Sequence, residues 1–156
     1  MVRLHWRAGT KRALRGVDLS VVLSIVLWVG LNAPLAGWVR PDELPERYAV
    51  ADVFAGPSVE DELGTREALG LVFAEALAAA VPVVTTDVGG IKDIVQDKVN
   101  GLVVPQRDAR AIADALVYLR GHPKEATAMG ERGQAFVRAN FSWQSVAERY
   151  AKILGI

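Results

Sequence analysis

A chain of 156 residues, 51% hydrophobic and 23% charged, has the length of one domain with an ordinary core and the composition of a globular protein. Wholesale disorder and two full domains are excluded. The absence of cysteine excludes disulfides, zinc–thiolate sites and a cysteine nucleophile; two histidines, His5 and His122, argue against a histidine-built metal site, and zero net charge argues against nucleic-acid binding.

The charge is uneven along the chain. Residues 1–16 carry Arg3, Arg7, Lys11, Arg12 and Arg15 and no acid, so the remainder is net acidic. From Leu19 to Val39 no residue is charged. A basic flank before an apolar run is how a signal anchor or signal peptide begins, and about 20 apolar residues span a bilayer as a helix. Ser20, Ser24, Gly30, Asn32, Pro34 and Gly37 interrupt this run. Residues 17–39 therefore have two readings, a membrane or signal-like stretch and a buried helix or strand pair.

Tyr48 to Ala55 reads as a helix end followed by a buried strand, stopped by Gly56-Pro57-Ser58. Residues 59–66 are polar and acidic and read as a loop. Leu71 to Ala80 is rich in strong helix formers, Pro82 ends it, and the β-branched Val83-Val84-Thr85-Thr86 is a strand. Asp87 to Gly90 is a turn, Ile91 to Gln96 a short helix, and Asn100-Gly101 a turn before the strand Leu102 to Val104. Asp108 caps a helix with Ile112, Ala115, Leu116 and Leu119 on one face, closed by Gly121-His122-Pro123. Two more helices follow, Lys124 to Ala139 and one capped by Ser142 with Val146, Tyr150, Ile153 and Leu154 on one face. This alternation predicts an α/β fold, a parallel sheet with crossover helices and a helical C-terminus. Its apolar strands suit a sheet covered by helices on both faces.

Chemistry in such a sheet sits at the carboxyl ends of the strands. Residues 66–71, Arg-Glu-Ala-Leu-Gly-Leu, open the alanine-rich helix there. A helix start presents backbone N–H groups and a positive dipole end, suited to phosphate, and Gly70 permits close approach. The bland reading is an ordinary N-terminus whose dipole Glu67 complements. Eight helical steps separate Glu67 from Glu75, about 12 Å, which is too far to act jointly on one atom and suits opposite ends of an extended ligand. Glu75 reads either as a solvated helix residue or as a carboxylate among apolar neighbours that needs a partner. Gly89-Gly90 after the second strand allows another close approach, or only a tight turn.

From about Leu35 to the C-terminus the chain resembles the nucleotide-binding domain of retaining glycosyltransferases of the GT-B fold, glycosyltransferase family 4. The resemblance is carried in order by Gly37-Trp38-Val39, Asp42-Glu43-Leu44-Pro45, Tyr48-Ala49, Ala51-Asp52-Val53-Phe54, and Pro57-Ser58. It continues through the E-x7-E pair Glu67 and Glu75, Pro82-Val83-Val84, Thr86 to Ile91, Asp93-Ile94-Val95, Asn100 to Pro105, and Phe141-Ser142-Trp143. It implies the Rossmann-like half of a GT-B fold in residues 35–156, with 1–34 a divergent or condensed segment. It further implies a nucleoside-diphosphate sugar as ligand, no metal or other cofactor, and transfer with retention. Glu67 would be catalytic and face the donor sugar. Backbone at Ala68, Leu69, Gly70 and Leu71 would hold the diphosphate, and Glu75 the ribose hydroxyls. Arg15, in Arg15-Gly16-Val17-Asp18, resembles the family's basic site near the diphosphate; Arg7 and Lys11 are weaker candidates.

The family places glycine where this chain has Ala68, Ala80 and Lys98. Its complete enzymes also carry an N-terminal acceptor domain, for which residues 1–34 are too short. The expectation is therefore a truncated glycosyltransferase half, cytoplasmic or at the inner face of the membrane, working with a separately supplied acceptor domain. The alternatives are a catalytically inactive remnant or interaction protein, and a protein anchored through residues 17–39.

Overall fold

The computed structural model describes residues 38–60, 62–64 and 68–156. Residues 17–37, with both readings of that stretch, lie outside them, as do Arg7, Lys11, Arg15 and Glu67. Among the described residues no helix is long and apolar enough to cross a membrane.

The elements follow the predicted grammar: α1 (Leu44–Ala49), β1 (Phe54–Gly56), α2 (Leu71–Ala78), β2 (Val83–Thr86), α3 (Ile91–Ile94), β3 (Gly101–Val104), α4 (Ala109–Gly121), α5 (Pro123–Phe141) and α6 (Trp143–Leu154). The strands form a parallel sheet in the order β1-β2-β3, with Phe54 opposite Val83 and Val83 opposite Gly101. Successive side chains of a strand face opposite sides of a sheet. Val83 accordingly joins Phe73, Leu77, Ile91, Ile94 and Val137, while Val84 joins Val53, Ile112, Leu119 and Met129. Full burial on both faces holds for β2 alone; β1, at the edge of the described sheet, leaves Ala55 exposed. Thr85 and Thr86 satisfy their buried hydroxyls by donating to the carbonyls of Gly56 (2.9 Å) and Ser58, which ties the chain leaving β1 to β2.

Helix ends show where local signals met competition. α3 stops at Ile94 rather than Gln96. The buried Asn100 side chain donates to the Ile94 carbonyl (3.0 Å) and accepts from the Gln96 N–H (2.7 Å), replacing the next helical bonds. Asp108 caps α4 by accepting from the Ala111 N–H at 2.9 Å. α5 begins at Pro123, because proline at the first helical position loses no needed N–H. Ser142 caps α6 as expected. Its Tyr150, Ile153 and Leu154 are nevertheless exposed, and no residue of α6 is buried among the described residues.

α2 ends in a Schellman motif. The Val81 N–H reaches the Ala76 carbonyl at 3.0 Å and the Ala80 N–H the Leu77 carbonyl at 2.9 Å. This geometry puts Ala80 at φ +58°, and Lys98 sits at φ +61° in the turn before β3. Both are positions where the sequence departs from the family's glycine, and both adopt the left-handed conformation that a Cβ disfavours by about 1 kcal/mol. Ala80→Gly and Lys98→Gly are each expected to raise stability by about 1 kcal/mol, read as a higher urea midpoint at unchanged m. A lower midpoint for both would show that these turns are not left-handed.

Candidate functional site

The start of α2 is set by Gly70, whose φ of +71° and ψ of 57° turn the chain sharply into the helix. A glycine cap has no side chain to satisfy the first N–H groups, and no side-chain cap bond is made there. The Phe73 N–H bonds the Gly70 carbonyl at 2.9 Å. Ala68, Leu69 and Gly70 precede the helix, and Ala68, Leu69 and Leu71 are exposed. The helix that carries Glu75 begins at Leu71, four steps or about 6 Å of rise before it, and Glu67 lies outside the described residues.

The glycine loop after β2 meets this segment directly. A Cβ built on Gly90 would lie 2.2 Å from the Ala68 carbonyl oxygen and 3.4 Å from the Leu69 Cα. Gly90 itself has an ordinary φ of −83°, so the need for glycine there is one of space rather than backbone strain. Two loops that the sequence singled out separately thus form one backbone surface, with Gly89 at φ +55° beside it.

Glu75 is exposed on α2, as the solvated reading has it, and it also has a partner. The Tyr48 hydroxyl donates to its Oε2 at 2.9 Å, joining α1 to α2. Tyr48 is buried, and its ring packs on Phe54 at 5.8 Å, which meets Phe73 edge-on at 5.7 Å. Burial, and then the bond to Glu75, push the Tyr48 hydroxyl pKa far above the usual tyrosine value, so it stays a donor. The sequence reading quoted Tyr48 as part of a motif and did not connect it to Glu75.

Beyond the glycine loops, Asp87, Val103, Val104, Pro105 and Gln106 line an open cavity of about 440 Å³ at the carboxyl ends of β2 and β3. The chain leaving β3 also grips the loop after β1. Gln106 accepts from the Glu60 N–H, and Arg107, at φ +60°, donates to the Glu60 carbonyl, both at 3.0 Å. The sequence analysis did not find this clamp. A second hollow, of about 370 Å³, lies by Val53 and Pro82 at the opposite ends of the strands, away from the Gly70 and Gly90 loops.

Comparisons with known proteins bear on the family and the fold. A GDP-mannose-dependent alpha-(1-6)-phosphatidylinositol monomannoside mannosyltransferase of Mycobacterium tuberculosis (strain CDC 1551 / Oshkosh) is 42% identical over 79% of this chain and 32% of its own length. A D-inositol 3-phosphate glycosyltransferase of Nocardia farcinica is 39% identical over 90% of this chain and 29% of its own. The chain thus spans about a third of the length of the curated relatives it matches. Among solved structures, sucrose-phosphate synthase from Thermosynechococcus elongatus matches with a TM-score of 0.72 and 29% identity, over 85% of this chain and 32% of that one. Anabaena HepE in complex with UDP and glucose shares the fold, with a TM-score of 0.71 and 22% identity over 86% of this chain and 35% of that one. The sheet and its helices are thus the Rossmann-like half of a GT-B fold. The family model for glycosyl transferases group 1 matches residues 15–122, more than half of the sequence and all three strands, and the chain belongs to that family.

Proposed function

We propose that this chain is the donor half of a glycosyltransferase and binds a nucleoside-diphosphate sugar, with GDP-mannose the first donor to test. The carrying observation is the glycine-led start of α2 at Gly70, pressed against the Gly90 turn and followed about one turn later by a carboxylate bonded from α1. Helix N–H groups and the dipole stabilise a diphosphate, including the charge that develops on it as leaving group. Backbone at Ala68, Leu69, Gly70 and Leu71 holds the diphosphate, with Arg15 adding a positive charge. Glu75 accepts the ribose hydroxyls, and Glu67 faces the donor sugar as the catalytic carboxylate. The choice of donor rests on the name of the mannosyltransferase at 42% identity.

Transfer then proceeds with retention and without a metal once an acceptor domain completes the cleft. That domain is the second partner, and contact with the inner face of the membrane suits a lipid-linked acceptor such as the phosphatidylinositol mannoside in that relative's name.

Calorimetric titration with GDP, UDP and ADP tests the reading. Saturable binding of one of them is expected, with Glu75→Ala weakening it about tenfold through loss of a charged hydrogen-bond partner. A folded chain that shows no saturation at millimolar ligand would overturn the proposal and leave the inactive remnant in its place.

A further inference from the structure

We propose that Tyr48 is a positioning residue for the nucleotide, orienting the Glu75 carboxylate toward the ribose; this rests on the reading of Glu75 as the ribose-binding group. Glu75 is exposed on α2, and an exposed glutamate samples many rotamers. Here one oxygen is held. The Tyr48 hydroxyl, 27 residues away in sequence, donates to Oε2 at 2.9 Å.

The donor is itself buried. Tyr48 is 5% exposed, and its ring is fixed against Phe54, which in turn packs on Phe73 of α2. The aromatic stack that seats α2 therefore also sets the plane of the carboxylate on that helix. A carboxylate oxygen has about two acceptor directions, so holding Oε2 through one of them leaves its other direction and Oε1 for two adjacent ribose hydroxyls. Ordering the acceptor before the ligand arrives removes part of the entropy that binding would otherwise lose. The hydroxyl remains protonated because burial and the neighbouring charge oppose its ionisation.

The experiment compares GDP with 2′,3′-dideoxy-GDP on the full chain. In the wild type, GDP is expected to bind more tightly than the dideoxy compound. Tyr48→Phe, which keeps the ring and removes one oxygen, should weaken GDP about fivefold and leave the dideoxy affinity unchanged. Glu75→Asp, at an exposed position, draws the carboxylate back from the phenol and should give a similar loss. The double variant should then lose no more than either single one. Equal weakening of both nucleotides by Tyr48→Phe would assign the tyrosine a purely structural role, and unchanged GDP affinity would remove the proposal. If the wild type itself does not distinguish the two nucleotides, the ribose reading of Glu75 fails first and takes this inference with it.

Discussion

Gly130→Ala is expected to destabilise the fold by about 2 kcal/mol. Alanine in place of glycine inside a helix normally gains about 1 kcal/mol. At this position a Cβ would lie 2.0 Å from the Ala80 carbonyl oxygen and 2.7 Å from its carbon. Those atoms are backbone, locked in the Schellman turn by the bonds of Ala80 and Val81, and Gln134 of α5 further ties the helices by donating to the Ala78 carbonyl at 2.8 Å. Neither partner can yield without breaking hydrogen bonds, so the upper end of the overpacking range, about 3 kcal/mol, outweighs the propensity gain. Gly121 provides the control: nothing lies within 4 Å of a Cβ there, so Gly121→Ala should be neutral or slightly stabilising. In urea melts the midpoint should fall for Gly130→Ala and stay level or rise slightly for Gly121→Ala. An unchanged midpoint for Gly130→Ala would mean that α5 does not pass so close to the end of α2.

Gly90→Ala involves a similar overlap with a different outcome. The added carbon meets the Ala68 carbonyl oxygen at 2.2 Å, yet residues 68 and 69 are exposed and precede the helix rather than belong to it. They can give way, so the cost in stability should stay near 1 kcal/mol. Binding should suffer more. Displacing residues 68–70 misplaces N–H groups that the proposed diphosphate needs, and losing two charge-assisted hydrogen bonds costs about 3 kcal/mol, or about 100-fold in affinity. Titration of the folded variant with the nucleoside diphosphate that the wild type binds is the measurement. Wild-type affinity would show that the Ala68 segment does not contact the ligand. Together, the two glycine variants separate a contact that builds the fold from one that shapes the site.

Much of the fold was legible from neighbouring residues. Pro82 and the β-branched run behind it placed β2 to the residue, and Asp108 and Ser142 marked the starts of α4 and α6. α3 was read too long because its end depends on Asn100, whose side chain takes over the bonds of the last turn. The candidate site was read from residue types. Glu75, Gly70 and Gly90 were each singled out, while the sharp turn at Gly70 just before the helix that carries Glu75 was not read from the sequence. The resemblance to the group 1 glycosyl transferases, carried by motifs in order along the chain, was confirmed by the family match.

By itself, the sequence determined the order of strands and helices, the helix caps, the family, and which side chains carry charge near the strand ends. These follow from periodicity, capping and chain-breaking residues, which act within a few positions of one another. Only the tertiary structure decided that Tyr48 holds Glu75, that Gly90 presses on Ala68, that Gly130 crosses Ala80, and that Tyr150, Ile153 and Leu154 of α6 stay exposed among the described residues. Each joins, or fails to join, residues far apart in the chain, and the packing of whole elements against one another sets such distances.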